Sequence, residues 1–323
     1  MMNSTVQTLS LAKRGARNYF TNRPLSVSFE VTYSCNAHCK HCHLGGIIKD
    51  EVTVPPERYG EICRQIQPVV AQVSGGEPLL RKDLVEIIKA LHRPNRAPLI
   101  VITTNAALLT KEKYFALRRA GTDQFSVSLD YPDERHDEFR KIRGLFGKIE
   151  KLIYELREEN EKAITLSCVV QKDNFRDLPK IAELAQKWGV RINFSTYTWL
   201  RTNDKSYMLT KEDLPEFREI VKKLLDFKKR NKNFFASKYV FERMIRFFEE
   251  ETIPGCRAGD RFFIVNPDGR ISPCGLFLNR YKSVQEMKED FVKTNTCGDC
   301  NTSIRANCEK PIRYLILDNI KRN

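Results

Sequence analysis

LSVSFEVT (residues 25–32), followed by SCNAHCKHCHLGG (residues 34–46), decides how this chain is read. Val, Phe and Thr crowd the first stretch as in a β-strand, so the second is a loop leaving a strand's carboxyl end. Cys35, Cys39 and Cys42 stand there in a C-x3-C-x2-C pattern, close enough for three thiolates to meet at one inorganic centre. A four-iron cluster or a zinc ion takes four ligands, so a three-thiolate loop leaves one metal position open to something that is not protein. On the loop alone two other readings stand: half of a zinc site completed by His38, His41 or His43, or part of a disulfide framework.

Outward from that loop, 323 residues with 41% hydrophobic content describe a soluble globular protein of one large domain and a smaller one. No apolar run approaches the roughly 18 residues of a membrane span and no secretory signal is visible, so a cytoplasmic location is expected. Ten cysteines in that compartment read as metal ligands and buried thiols rather than disulfides. The formal charge of +14 suits an acidic partner (nucleic acid, phosphorylated metabolite or anionic membrane) and equally a solvated basic face. Residues 1–24 hold no Asp or Glu. Leu9, Ala12, Ala16, Tyr19 and Phe20 alternate there with Lys13, Arg14 and Arg17 as a short basic amphipathic helix. Packing across the end of the next domain is the favoured use; peripheral contact with an anionic membrane and an organellar transit peptide are the others.

Beyond residue 24, short apolar runs at 25–32, 69–74, 98–104, 123–129, 163–170 and 190–197 alternate with helical patterns at 56–67, 81–92, 111–120, 146–161 and 177–188. Strand followed by helix, repeated, implies right-handed crossovers and a parallel sheet. Six strands cannot close an eight-stranded barrel, which predicts an α/β fold: an open, partial (β/α)6 barrel with a seventh helix near 211–229. In such folds chemistry gathers at the carboxyl ends of the strands. After the first strand comes the cysteine loop, and after the second Ser74-Gly75-Gly76-Glu77-Pro78, whose glycines admit a ligand close to the backbone and whose Glu77 offers a carboxylate to an ammonium group. The third ends in Thr104 and Asn105, the fourth in Ser128 and Asp130, all on one rim.

The last third carries a second cysteine set. Cys256 and Cys274 bracket two short strands, 262–265 and 270–272, around an Asn266-Pro267-Asp268-Gly269 turn. Ser283 and Glu286 form a capping box for a helix to about Val292; Cys297 and Cys300 follow as C-x2-C, and Cys308 stands beyond. Two hairpin cysteines meeting a C-x2-C pair make a four-thiolate site for zinc or an iron-sulfur cluster. Cys63 and Cys168 fall on apolar faces as buried small hydrophobes. Between 198 and 252, Phe241, Met244, Ile245 and Phe248 mark a packed helix.

Taken together, C-x3-C-x2-C, SGGEP, TTN, SVSLD and the stretch from His136 to Phe146 resemble the motifs of the radical SAM superfamily. That resemblance implies a [4Fe-4S] cluster on Cys35, Cys39 and Cys42, its open iron chelated by S-adenosylmethionine. Gly75, Gly76 and Glu77 would receive the methionine ammonium, Ser128 and Asp130 would contact the ribose or carboxylate, and Asn105 lies on the same rim. His41, where an aromatic residue is usual, would stack on adenine. One electron from the reduced cluster then breaks a C–S bond, and the 5′-deoxyadenosyl radical takes a hydrogen atom from substrate. The C-terminal part resembles a Twitch domain, a shortened SPASM domain, which implies an auxiliary [4Fe-4S] cluster on Cys256, Cys274, Cys297 and Cys300, with Cys308 as a substitute for one of them or free. The division so implied is 1–24, a basic segment; 25–200, the barrel; 201–252, a helical linker; and 253–323, a small α+β iron-sulfur domain. A reductant such as flavodoxin or ferredoxin is implied. The expected reaction is oxidation of a small molecule, with the auxiliary cluster accepting an electron; a lipid or a peptide is the alternative substrate. An iron-sulfur electron carrier would need no SGGEP rim.

Overall fold

Inward and outward positions of the strands obey different chemistry. In the computed structural model, which describes residues 5–314 except 95, 232, 233, 236 and 278, strands β1 (Ser26–Thr32), β2 (Val70–Gly75), β3 (Leu99–Thr104), β4 (Gln124–Ser128), β5 (Ile164–Val170) and β6 (Arg191–Thr196) pair in parallel, each with the next. Ala71, Val73, Ile100, Ile102, Phe125, Val127, Ile192 and Phe194 are buried in the main core. Their alternate neighbours, Gln72, Ser74, Thr103, Ser126, Asn193 and Ser195, line a central cavity. A period of two therefore separates an apolar helix-facing side from a mixed interior, where Val70, Leu99, Val101 and Val169 line the same cavity.

Around the sheet run α1 (Thr5–Phe20), α2 (Pro56–Ile66), α3 (Leu84–Leu91), α4 (Lys111–Ala120), α5 (Arg135–Arg140), α6 (Leu145–Glu158), α7 (Leu178–Trp188), α8 (Leu214–Arg230), α9 (Lys238–Glu250), α10 (Val284–Met287) and α11 (Ser303–Cys308). The predicted elements are present with ends moved by a few residues. The third helix begins at Leu84 rather than 81, because Pro78–Leu80 forms a tight turn and Arg81 reaches back to Asp83 and to the Val31 carbonyl. The six-residue α5 is too short to show periodicity and escaped the sequence reading. Ser283 caps α10 as expected, while Glu286 accepts from the Lys282 amide instead of the Ser283 amide, and the helix widens into a π-turn over Lys288–Val292.

Two findings change the expected outline. The sheet has eight strands, not six: β7 (Phe262–Val265) pairs in parallel with β1, and β8 (Ile271–Ser272) antiparallel with β7. The C-terminal hairpin thus continues the barrel sheet. At the other edge Asn301 Nδ2 donates to Thr196 Oγ1 at the end of β6 (2.9 Å), so the C-x2-C loop spans the gap between the sheet's two ends. The second finding concerns α1, which lies across the amino-terminal ends of the strands: Gln7 donates to Asp123, Arg14 to the Pro68 carbonyl, and Asn18 to the Pro24 and Gln67 carbonyls. Those three polar residues face the barrel, while Lys13 and Arg17 and, against expectation, Leu9 and Phe20 stay exposed; membrane contact gains no support. No described helix is long and apolar enough to cross a membrane.

Candidate active site

The cysteine loop is shaped by its neighbours' backbones. Cys35 N–H donates to the Gly46 carbonyl (2.9 Å) and Cys42 N–H to the Cys39 carbonyl (3.1 Å). Gly76 N–H donates to the Thr32 carbonyl (2.7 Å) and Glu77 N–H to the Ser34 carbonyl (2.8 Å), lashing the end of β2 to the loop's start. A Cβ on Gly75 would fall 2.0 Å from the Thr32 oxygen, and one on Gly76 2.1 Å from the Ser34 oxygen. The paired glycines are required first by this crossing of two protein strands; both also line the cavity.

Glu77 is fully buried and its carboxylate is largely taken: it accepts from Leu79 N (3.1 Å), Thr104 Oγ1 (2.7 Å) and Asn105 N (2.8 Å). Burial raises its pKa against those three donors. Glu77 thereby ties the β2 and β3 loops together, with one lone-pair position left for an ammonium group. Asn105 donates to Asn36 Oδ1 (2.8 Å) inside the cysteine loop and accepts from Ala107 N (2.9 Å). Ser128 faces the cavity.

Asp130 does not. Contrary to its expected contact with ribose or carboxylate, it has no exposed surface and grips Arg140 through Nε (2.8 Å) and Nη2 (2.5 Å), while accepting from Val169 N (3.1 Å). Desolvation works against its charge, but Arg140 and the neighbouring histidines hold its pKa below the usual carboxylate range. Arg140 in turn points Nη1 at Cys39 Sγ (3.6 Å), and its pKa is raised by Asp130 and Cys39 against the pull of burial. Sequence reasoning reached the stretch containing Arg140 as a motif but not this role; a cation is what an anionic thiolate centre gains from.

His41 stacks on Phe139, ring centroids 4.9 Å apart and planes within 4°, leaving its other face toward the cavity. Burial drives its pKa down to about 3, so it is neutral, and its buried Nδ1 meets no partner among the described residues. His136, fully buried, is lowered to about 4 by desolvation and then Arg140, against Asp130. Its Nδ1 accepts from the Asp130 amide (3.2 Å). The unfolded chain binds this proton near pH 6.5 and the folded chain only near 4, so the stability that neutral His136 supports is complete above 6.5 and lost as pH falls through that window. The loss should be on the order of 3 kcal/mol, read as the part of the urea-midpoint shift across the window that a His136→Gln variant lacks, the part due to His41 remaining.

The second cysteine set meets around the β7–β8 edge. Cys256 N–H donates to the Cys297 carbonyl (3.3 Å), and Asn295 bridges the same pair from Nδ2 to the Cys256 carbonyl (2.8 Å). A hydrogen bond between the two thiols raises the pKa of Cys256 and lowers that of Cys297. Burial pushes Cys274 up to about 11 and raises Cys300. In each of Cys256, Cys274, Cys297 and Cys300 the backbone amide two residues on, of Ala258, Leu276, Asp299 and Thr302, favours the thiolate. Cys308, pushed to about 12 by burial, lacks that local amide and meets the one from Ser26 on β1. Behind the set, fully buried Arg305 donates to the Cys300 carbonyl (2.6 Å), lies 3.9 Å from Cys300 Sγ and pairs with Glu309. Arg140 and Arg305 were not visible as a matched pair in the sequence, since neither lies in a cysteine spacing. Cys63 and Cys168 are buried in the main core.

Both cysteine sets open on one cavity of about 1740 Å³, walled by the inward strand residues, the SGGEP loop and His41. Against this geometry, the sequence matches the Radical SAM superfamily over residues 29–185. That segment is a radical SAM domain. Among its relatives, the chain is 28% identical over 279 residues to an AdoMet-dependent heme synthase of Methanosarcina barkeri, covering 79% of this chain and 78% of that one. It is 28% identical over 262 residues to a probable GTP 3′,8-cyclase of Saccharolobus islandicus, covering 78% and 83%. Its fold superposes on Streptococcus suis SuiB bound to the precursor peptide SuiA with a TM-score of 0.65 at 21% identity, over 83% of this chain and 64% of SuiB.

A radical SAM protein binds a four-iron cluster and S-adenosylmethionine, and the residues present suit both. Ala37 N–H donates to Cys35 Sγ (3.4 Å) and Arg140 to Cys39 Sγ, donors that an anionic sulfur uses and a neutral thiol does not need. The orphaned Nδ1 of His41 and the free lone pair of Glu77 are the polar atoms a nucleoside and an ammonium group would satisfy. Among the described residues no three His, Cys, Asp or Glu side chains close to the spacing of a single bound ion.

Proposed function

We propose that this protein reductively cleaves S-adenosylmethionine and oxidises a small molecule held in the cavity, with a second four-iron cluster on Cys256, Cys274, Cys297 and Cys300 accepting an electron. One observation carries the reading: two sets of cysteines, each backed by a buried arginine, face the same cavity. Relatives named for heme synthesis and for GTP cyclisation support a small molecule over a lipid or a peptide. The bound cluster and S-adenosylmethionine would supply the radical that takes a hydrogen atom. The chain's own part is to orient and to exclude. Glu77 and Asn105 hold three rim loops in register, and His41 offers a neutral flat face for adenine. Asn301 and the C-x2-C loop close the sheet's gap against solvent.

Iron and sulfide content after anaerobic reconstitution, paired with a 5′-deoxyadenosine assay under dithionite, tests this. About eight irons per chain with deoxyadenosine formed is the expected result; about four irons with zinc retained would remove the oxidative role, and no deoxyadenosine would remove the activity itself. Within the second set, Cys297→Ala is expected to lose about half of the iron and any net oxidation while still forming deoxyadenosine. Cys308→Ala should keep its iron, since Cys308 lacks the local amide that the other four share. Loss of iron in Cys308→Ala with full iron in Cys297→Ala would exchange their roles.

A further inference from the structure

Arg201 touches both cysteine loops. It ends the helical turn Trp199–Arg201 beyond β6, and the imidazole of His43, the residue after Cys42, hydrogen-bonds to its backbone. Its guanidinium Nη2 lies 3.5 Å from the point where a side chain on Gly275, the residue after Cys274, would begin. The side chain lines the cavity.

Its pairing sets it apart from the other arginines around the site. Arg140 has Asp130, Arg305 has Glu309 and Arg81 has Asp83. Among the described residues nothing hydrogen-bonds the Arg201 guanidinium and no carboxylate pairs with it. Glu30, the cavity-facing carboxylate that its charge reaches, accepts from Ser28 (2.8 Å) and stands outside ion-pair distance. A guanidinium that lines a cavity without a carboxylate partner is stabilised by an anion that completes its fork of donors. The protein's net charge of +14 would draw such an anion in.

We propose that Arg201 anchors an anionic group of the substrate, a carboxylate or a phosphate, between the two cysteine sites. The proposal rests on the cavity being the substrate site, as argued above. It assigns the substrate class: a small organic anion whose charged end is held by Arg201 while another part faces the radical centre.

The test uses the full chain, reconstituted with iron and sulfide and saturated with S-adenosylmethionine, titrated anaerobically by calorimetry with inorganic pyrophosphate and, separately, glutarate. The wild type is expected to bind one of them, and which one distinguishes phosphate from carboxylate. Arg201→Gln should weaken that binding about tenfold or more, and Arg201→Lys by less, because lysine keeps the charge but not the fork. Gly275→Asp should also lose the anion with Arg201 intact, since the new carboxylate would occupy the guanidinium. Iron content and near-ultraviolet circular dichroism establish that each variant is folded and loaded. Equal binding by wild type and Arg201→Gln, or no binding of either anion by the wild type, would overturn the proposal. So would an equal loss of S-adenosylmethionine affinity in Arg201→Gln, which would assign the residue to the cofactor's own carboxylate. Deoxyadenosine formation by the wild type, measured on the same samples, is independent of the anion result, so a failed radical assignment and a failed anion site are told apart.

Discussion

Cys42→Ala is expected to form no 5′-deoxyadenosine above background and to lose about four irons per chain, with the C-terminal iron retained. The loop supplies only three thiolates, and among the described residues no fourth cysteine packs with them. His38 is turned against Gly45, and the His41 ring is fixed flat against Phe139. Cys42 is also the most exposed of the three, so its replacement by alanine removes little packing. The fold should survive while the cluster does not. Iron content, the visible absorbance of the cluster and deoxyadenosine measured on one sample separate those outcomes. Deoxyadenosine at the wild-type rate in this variant would contradict the placement of the first cluster.

Asp130→Ala is expected to destabilise the fold by about 3–5 kcal/mol, because it strands a buried guanidinium without its counter-ion. Asp130 is fully enclosed, Arg140 only 7% exposed, and their contacts of 2.8 and 2.5 Å form a forked pair. The melting temperature should drop by several degrees, and iron retention should fall with it, since Arg140 no longer holds its position beside Cys39. A double change, Asp130→Leu with Arg140→Met, separates the two effects. Replacing both charges with apolar groups should recover much of the stability, yet the cluster should remain weakly held because Cys39 has lost its cationic neighbour. Full iron retention in the double variant would reduce Arg140 to a structural role.

How much of this was legible beforehand follows from the range of each interaction. Strands and helices of the barrel are local patterns of period two and 3.6, and they appeared within a few residues of their predicted ends. Short α5 and the early turn at Pro78–Leu80 did not, because six or three residues carry no period. The reading of the glycines was half right: Gly75 and Gly76 do line the cavity, but the close approach they permit is first that of Thr32 and Ser34. Asp130 shows the harder case. As a residue it is a free carboxylate at a strand's end, and only Arg140, ten positions on and carried back by α5, takes it out of the cavity.

By itself the sequence determined the α/β alternation, the three-cysteine loop at the first strand's end and the presence of a second cysteine set, since each is written in spacing along one short segment. Tertiary structure alone decided that β7 continues the sheet beside β1, that both cysteine sets share one cavity, and that Arg140 reaches Cys39 and Arg305 Cys300 while Arg201 lines the cavity. Those are contacts between segments far apart in the chain, and a charge's role depends on which partner folding places within hydrogen-bonding reach.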